Sequence, residues 1–494
     1  MTKARLLWIG YTGKSAFAHA ETIKRLWDRD LIEFCAATGG KPQPIDNEIL
    51  SEPVMPHNEV LFANYGAIES SFSILLDNEI YREFSSFEGE TLRMMDRLCG
   101  REPYFIFEYS FNSRRAMFIR HCSFWRDYLS KKKISHIVFC GVPHEVFTHV
   151  VYKIAKTLSI ETIIFAPEKT GSSRKKEGIF LNSDLLPRSM HQSLFFLSES
   201  IEDIGVWRLS EKIKSLDEKF PVKLLYGQPF SDGSVGRSQA DLVDFDKRLV
   251  WPYLRSFVKM IRQIPKRPRV LLGTLKNSFV SLCQYFEHIR LAVDLNHKSP
   301  SILFCLAYQP EESTSPRAGI FVEQKLAINA IANNLPSGWI LRVREHPDQY
   351  GRRRPRTFGF LREISKIANV EIVPIDEDSS KSLDSARIVA GSAGTMCLES
   401  WARRKPLLLF GHMLLKKAPN VYFVESHSDL KSAIEEATLN CLPDEYELDN
   451  FKSWTASNSY VGTCQKIKDA SLMEDTVNNL EGILERWFFL TSNA

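Results

Sequence analysis

No stretch of the 494 residues approaches the ~20 consecutive apolar residues that a membrane span needs. The first apolar run, RLLWIG, is also shorter than the core of a secretory signal. Cysteine is sparse and unpatterned: nine residues, with no Cys-x-x-Cys and no Cys/His pair at ligand spacing, which excludes a structural zinc site and a disulfide framework. Cys140 in HIVFC and Cys305 in ILFCLAY sit inside apolar runs, where cysteine acts as a small buried hydrophobe. A strong charge of either sign is missing too. The net charge is +4, so the chain lacks the concentrated basic surface of a nucleic-acid binder. The one basic cluster, GRRRPR (Gly351 to Arg356), reads as a solvated loop. Neither G-x-x-x-x-G-K-[ST] nor G-x-G-x-x-G occurs, which weakens kinase, ATPase and dehydrogenase readings. No Asp-x-Asp metal motif stands at the end of a strand, so no metal and no cofactor is expected. Cytoplasmic placement is the expectation.

What is present is an ordinary globular composition, 44% hydrophobic and 25% charged, at a length that calls for two domains or more. Short Val/Ile/Leu/Phe runs alternate with helical patterns, as in α/β layers built on parallel sheets. In the first half these runs are RLLWIG, IEFCAA, HIVFCG and ETIIFA. The segment HEVFTHVVYKIAKTL between the last two carries the apolar spacing of an amphipathic helix. From about Ser198 to His297 the pattern turns mostly helical. The alternation then restarts with SILFCLAY, WILRVRE, VEIVPI, ARIVAG and PLLLFG, separated by helical segments over Ile320 to Asn334, Phe358 to Asn369 and Met396 to Arg404. The expected division is a Rossmann-like domain over 1–265, a helical connector over 266–297 and a second Rossmann-like domain over 298–494. Two such halves facing across a cleft make the GT-B architecture, with ligands at the carboxyl ends of the strands. The C-terminal LEGILERWFFLTSNA is expected to pack on its own domain through Trp487, Phe488 and Phe489, a membrane-surface contact being the alternative.

Three turns in the second half are suited to anions. WILRVR runs into Glu345-His346-Pro347, where proline restricts the residue before it and a histidine can donate to a phosphate oxygen; a polar loop closing a strand reads the same way. AGSAGTMCLESWARRKPLLLFG places Ser392, Gly394 and Thr395 between a strand and a helix start, with Glu399 about one turn on, within reach of a ribose. YQPEESTSPRAGIFVEQ opens a long polar loop after a strand, with Arg317 beside Ala318-Gly319 at the expected start of the next helix. In the first half, His144 and Glu145 follow HIVFCG and open a helix, so they face the cleft; a carboxylate there also suits the helix N-terminus.

These stretches, together with the following APNV, resemble the bacterial capsule polysaccharide biosynthesis family, which includes Kdo transferases that use a CMP-activated sugar. They resemble bacterial sialyltransferases more loosely. The likeness covers Ser301 to Val421 well and the first half thinly. It implies that His346 of the His-Pro motif meets the CMP phosphate, and that Thr395 and Gly394, with Ser392 before them, occupy the Ser/Thr motif. It implies further that Glu399 matches the helix glutamate, and that Gln309, Pro310 and Glu311 line the donor pocket. His144 and Glu145 match the family's Pro-His-Glu segment. Two positions depart from the pattern: Cys397, and Arg404 before Lys405, stand where relatives have glycine.

Sugar transfer needs a carboxylate near the anomeric carbon, as base or nucleophile. Glu145 is the first candidate, with Glu168 and Asp96 in reserve. Arg317, Arg344, His346 and Lys405 are the cations expected to manage the leaving phosphate. The expected activity is transfer of a keto-deoxy sugar, Kdo or a related one, from a CMP-activated donor to a saccharide or lipid-linked acceptor, in capsule or surface polysaccharide biosynthesis. Such an acceptor is compatible with peripheral association at the inner face of the inner membrane. A UDP- or CDP-linked donor, or a non-catalytic scaffold for polysaccharide assembly, are the alternatives.

Overall fold

Each half of the chain is built on its own parallel sheet, because its apolar runs are near-continuous and must be covered on both faces. The computed structural model describes residues 3–11, 16–39, 46–69, 78–95, 110–166, 194–226, 268–295, 299–309, 311–346, 348–351, 356–439, 444–462 and 470–492. The first half contributes β1 (Ala4–Tyr11), β2 (Ile32–Gly39), β3 (Met55–Pro56), β4 (His136–Phe139), β5 (Glu161–Ala166) and β6 (Leu194–Ser198). They lie in the order β3-β2-β1-β4-β5-β6, all parallel except β6. The second half contributes β7 (Ser301–Cys305), β8 (Ile340–Arg344), β9 (Val370–Ile372), β10 (Ile388–Gly391), β11 (Leu407–Leu409) and β12 (Val421–Phe423). Their order is β9-β8-β7-β10-β11-β12, parallel throughout.

In both sheets the chain winds outward from the first strand in one direction, then returns to wind in the other. The order reverses between β1 and β4 in the first sheet and between β7 and β10 in the second. Doubly wound sheets bind ligands at such a switch point, outside the carboxyl ends of the strands. The two Rossmann-like sheets expected from the alternation are therefore present. Four strands were not legible: β3, β6, β12 and β13 (Ser459–Val461). In the stretch from Ser198 to His297, the helices Arg208–Lys214 and Pro268–Leu291 are seen, and 227–267 lies outside the described residues.

The last segment departs from the expected division. Strand β13 pairs antiparallel with β6, and the helix Ala470–Ser492 packs on the first sheet, so the end of 298–494 belongs physically to the first half. Trp487 and Phe488, each 1% exposed, share a core with Leu6, Trp8 and Ile163. Glu481 of this helix accepts from Arg25 at 3.2 Å and Arg29 at 3.0 Å, and Glu485 pairs with Arg29. The C-terminal aromatics thus pack on their own protein, and among the described residues no helix is long and apolar enough to cross a membrane.

Two buried histidines make the first half sensitive to acid. His136 sits edge-on to Trp487 at 4.9 Å and hydrogen-bonds Ser135 and Thr491. Burial pulls its pKa down to about 4, and burial, with Arg120 adding to it, takes His121 down to about 3. Unfolded, both take a proton near pH 6.5. Between pH 6.5 and about 4 the unfolded chain therefore binds protons that the fold does not, and stability falls as pH falls. Stability at pH 5 is expected to lie below that at pH 7 by about 1–2 kcal/mol for each histidine. Urea titrations at the two pH values measure this, and His136→Asn should remove part of the difference.

Candidate functional site

The carboxyl ends of β7, β8 and β10 are adjacent and carry the three anion-suited turns to the switch point of the second sheet. Beyond β7, Gln324 locks the strand exit: the Ala307 N–H donates to its Oε1 at 2.7 Å, and its Nε2 returns a bond to the Ala307 carbonyl at 3.2 Å. The helix starts at Gln324 after a 3-10 turn over Gly319–Val322, so Ala318 and Gly319 are not the helix N-terminus that the sequence suggested. The intervening backbone is held locally, with the Thr314 hydroxyl donating to the Glu311 carbonyl at 2.9 Å while Glu311 itself is exposed.

Beyond β8 the structure separates the roles of Glu345 and His346. Glu345 is structural: its two oxygens take Arg356 Nε at 2.6 Å and Nη2 at 2.7 Å, with the side chains 1% and 4% exposed. Arg356 also donates to Gln309 Oε1 at 2.9 Å and to the Ala307 carbonyl at 2.9 Å. The basic run Gly351 to Arg356 is thus not simply a solvated loop; its last residue is a buried fork that ties the exits of β7 and β8 together. Gln309 is spent on the same network, donating to the Val322 carbonyl at 2.5 Å. His346 is half-buried, its ring 5.8 Å from that of Tyr308, and its backbone N–H donates to Glu345 Oε1 at 2.6 Å. Pro310 and Pro347 lie outside the described residues.

Beyond β10 the chain turns through Ser392 and enters the helix Thr395–Ala402, with Gly394 as its N-cap. Ser392 is 2% exposed, and its hydroxyl has no partner among the described residues, while Gly394 and Thr395 are exposed beside it. A buried hydroxyl beside a helix start is what a polar ligand would satisfy. Gly411, after β11, packs against this turn so closely that a Cβ would stand 2.6 Å from the Ser392 carbonyl oxygen. Glu399 is one turn into the helix; burial holds its carboxyl above the usual range, against the pull of Arg403 and Arg344.

Of the expected cations, Arg344 is spent on the Ser382 hydroxyl at 3.1 Å and the Glu377 carbonyl at 2.8 Å. Lys405 precedes β11, at the edge of the sheet away from the site, and donates to the carbonyls of Asp384 and Ala386. It cannot meet a ligand at the carboxyl ends. The departure at Arg404 has a conformational meaning, since its φ of 56° is the left-handed region that glycine occupies at least cost. Cys397, the other departure, fills the space beside Gly391, its Sγ 3.0 Å from where a Cβ would be.

The first half brings His144 and Glu145 to the same cleft, just beyond β4 at the first switch point. Glu145 is the N-cap of the helix Val146–Thr157, in a capping box with Thr148, and its Oε2 lies 3.6 Å from His57 Nε2. His144 reaches the other half directly, with Nδ1 3.4 Å from Glu312 Oε2. The halves also meet beyond β11. Lys416 donates to the Glu202 carbonyl at 3.1 Å and to His412 Nδ1 at 3.1 Å, and Leu414 enters the core of the first half. Burial, then Lys416, pulls His412 down to about 4, so it is a neutral acceptor. Glu168 and Asp96 lie outside the described residues. His57, Glu312 and His412 were not singled out by the sequence; only His412, directly after a strand-like run, carried a readable signal.

Two doubly wound sheets joined with their carboxyl ends towards one cleft define a GT-B protein. No protein-family model matches the sequence, and no curated protein matches it. Solved structures similar to it include a UDP-GlcNAc 2-epimerase from Methanocaldococcus jannaschii, 11% identical over 92% of this chain and 97% of that one, with a TM-score of 0.26. Another is KpsC of Thermosulfurimonas dismutans, a β-Kdo 2,7 transferase, 10% identical over 76% of this chain and 90% of that one, with a TM-score of 0.31. A third is the spinosyn rhamnosyltransferase SpnG, 9% identical over 99% of this chain and all of that one, with a TM-score of 0.22.

Proposed function

We propose that the chain is a glycosyltransferase that moves a keto-deoxy sugar of the Kdo type from a CMP-activated donor to a saccharide acceptor, in surface polysaccharide assembly. One observation carries this reading. The residues of three motifs, around Arg317, His346 and Ser392-Gly394-Thr395, stand at adjacent strand ends around one switch point, and His144 and Glu145 stand on the opposite wall. In this reading the nucleotide phosphate lies against the helix start at Gly394 and Thr395, the Ser392 hydroxyl and His346. Glu399 faces the ribose. The leaving group is CMP, whose charge is met by histidine and backbone N–H groups without a metal. The acceptor hydroxyl attacks from the side of His144 and Glu145, and a lipid-linked acceptor would bring the protein to the inner face of the membrane.

The test is release of CMP from a CMP-activated keto-deoxy sugar by the purified chain, with and without saccharide acceptors. Acceptor-dependent release that survives EDTA and falls by about 100-fold or more in His346→Ala is expected. Turnover of a UDP- or CDP-linked donor instead would overturn the donor assignment. Absence of turnover with every donor and acceptor class would favour a non-catalytic assembly protein.

A further inference from the structure

His144 Nδ1 faces two acceptors. The Val142 carbonyl oxygen lies at 2.7 Å and Glu312 Oε2 at 3.4 Å, so the proton sits on Nδ1 and the lone pair of the neutral ring is on Nε2. Val142 belongs to the first half and Glu312 to the second. Glu312 is itself fixed from behind: its Oε1 takes Arg317 Nε at 2.9 Å and Nη2 at 2.7 Å. The Arg317 side chain is 7% exposed, and its Nη1 donates to the His412 carbonyl at 3.3 Å. The His412 N–H in turn donates to the Arg317 carbonyl at 2.9 Å. The carboxylate that reaches His144 is therefore anchored on the loop beyond β7 and braced by the loop beyond β11.

We infer that Glu312 is a positioning residue for His144, and that this pair, assembled from both halves, makes His144 Nε2 the base for the acceptor hydroxyl. The inference rests on the transferase reading and deepens it. As the acceptor oxygen bonds to the anomeric carbon, its proton passes to His144 Nε2. The bond from that carbon to the donor phosphate oxygen breaks, and the electron pair leaves with the nucleotide. Glu312 stabilises the imidazolium so formed, as a carboxylate behind a catalytic histidine does. Titratable groups near His144 among the described residues include Glu145, next to it in the chain, and His57, 3.6 Å from Glu145. Glu145 stands at the N-cap, its backbone N–H held by the Thr148 hydroxyl at 3.1 Å and its carboxylate turned to His57, whereas His144 has Glu312 behind it from the other half. The same geometry makes the base complete only while the two halves are together. Arg317, expected to face the donor phosphate, acts here through Glu312 instead.

The test compares His144→Gln, Glu312→Gln and the double variant in the full chain. His144→Gln is expected to lower kcat about 100-fold or more, and Glu312→Gln about tenfold, with donor KM within twofold of wild type in both. The double variant should be no slower than His144→Gln alone, because the two act as one unit. Glu312→Asp should recover part of the rate that Glu312→Gln loses. Losses that multiply, no rescue by Glu312→Asp, or a raised donor KM with kcat intact would overturn the assignment. A readout without turnover separates it from the transferase reading. Imidazole NMR of labelled histidine should show His144 as the Nδ1–H tautomer, with a resonance that shifts in Glu312→Gln. That shift without transfer to any acceptor would retain the pair and remove the reaction; its absence would remove the pair.

Discussion

Arg356→Ala is expected to lower the stability of the chain by about 3–5 kcal/mol, the usual cost of stranding one partner of a buried ion pair. The cause is specific. Glu345 is 1% exposed at the side chain and receives two of its hydrogen bonds from this guanidinium, so removing the fork leaves a carboxylate in a dry site. The Gln309 amide oxygen and the Ala307 carbonyl lose a donor at the same time. Arg356→Lys should recover little, because an ammonium cannot span both carboxylate oxygens while reaching Gln309 and Ala307. Glu345→Gln also removes the counter-charge of a buried partner, Arg356, and turns an NH2 towards a donor, but it should cost less than Arg356→Ala because Gln309 and Ala307 keep their donor. Urea unfolding of the four proteins orders them, and an Arg356→Ala protein as stable as wild type would show that Glu345 finds water or another cation.

Trp487→Ala is expected to cost about 3–5 kcal/mol, the range for deleting a large buried aromatic. Trp487 lies between the face of β1 and His136, and the helix that carries it is held by the Arg25, Arg29, Glu481 and Glu485 cluster at its surface. The indole covers His136 together with Phe488, edge-on at 4.9 and 5.0 Å. The variant should therefore lose stability and show a weaker decline between pH 7 and pH 5, as His136 regains solvent and its pKa returns towards 6.5. Unfolding curves at both pH values would reveal this, and an unchanged pH dependence would mean that His136 is shielded by something other than the indole.

The layout of the fold was readable where chemistry is local. RLLWIG, IEFCAA, ETIIFA and SILFC are apolar on both faces, and a buried parallel strand is the element that needs such a run. The motif turns after β7, β8 and β10 were readable for the same reason, since small residues, hydroxyls and proline mark strand exits. What stayed hidden depends on partners distant in the chain. Ser459-Tyr460-Val461 is too short to announce a strand and becomes one only by pairing with β6. Arg356 looks like surface charge until its partner eleven positions away is seen to be buried. Glu312 stands beside a glutamate that the motif singled out, and its meaning comes only from His144 on the other wall of the cleft.

The claim that the second switch point holds the donor nucleotide is tested most directly by thermal unfolding with CMP, CDP, UDP or GDP, on wild type and on His346→Ala. CMP at about 100 times its Kd should stabilise the wild type by about 2.7 kcal/mol, seen as a rise in Tm, with smaller shifts from the other nucleotides and none from CMP in the variant. A larger shift from UDP or GDP, a CMP shift that survives His346→Ala, or no shift with any nucleotide would contradict it.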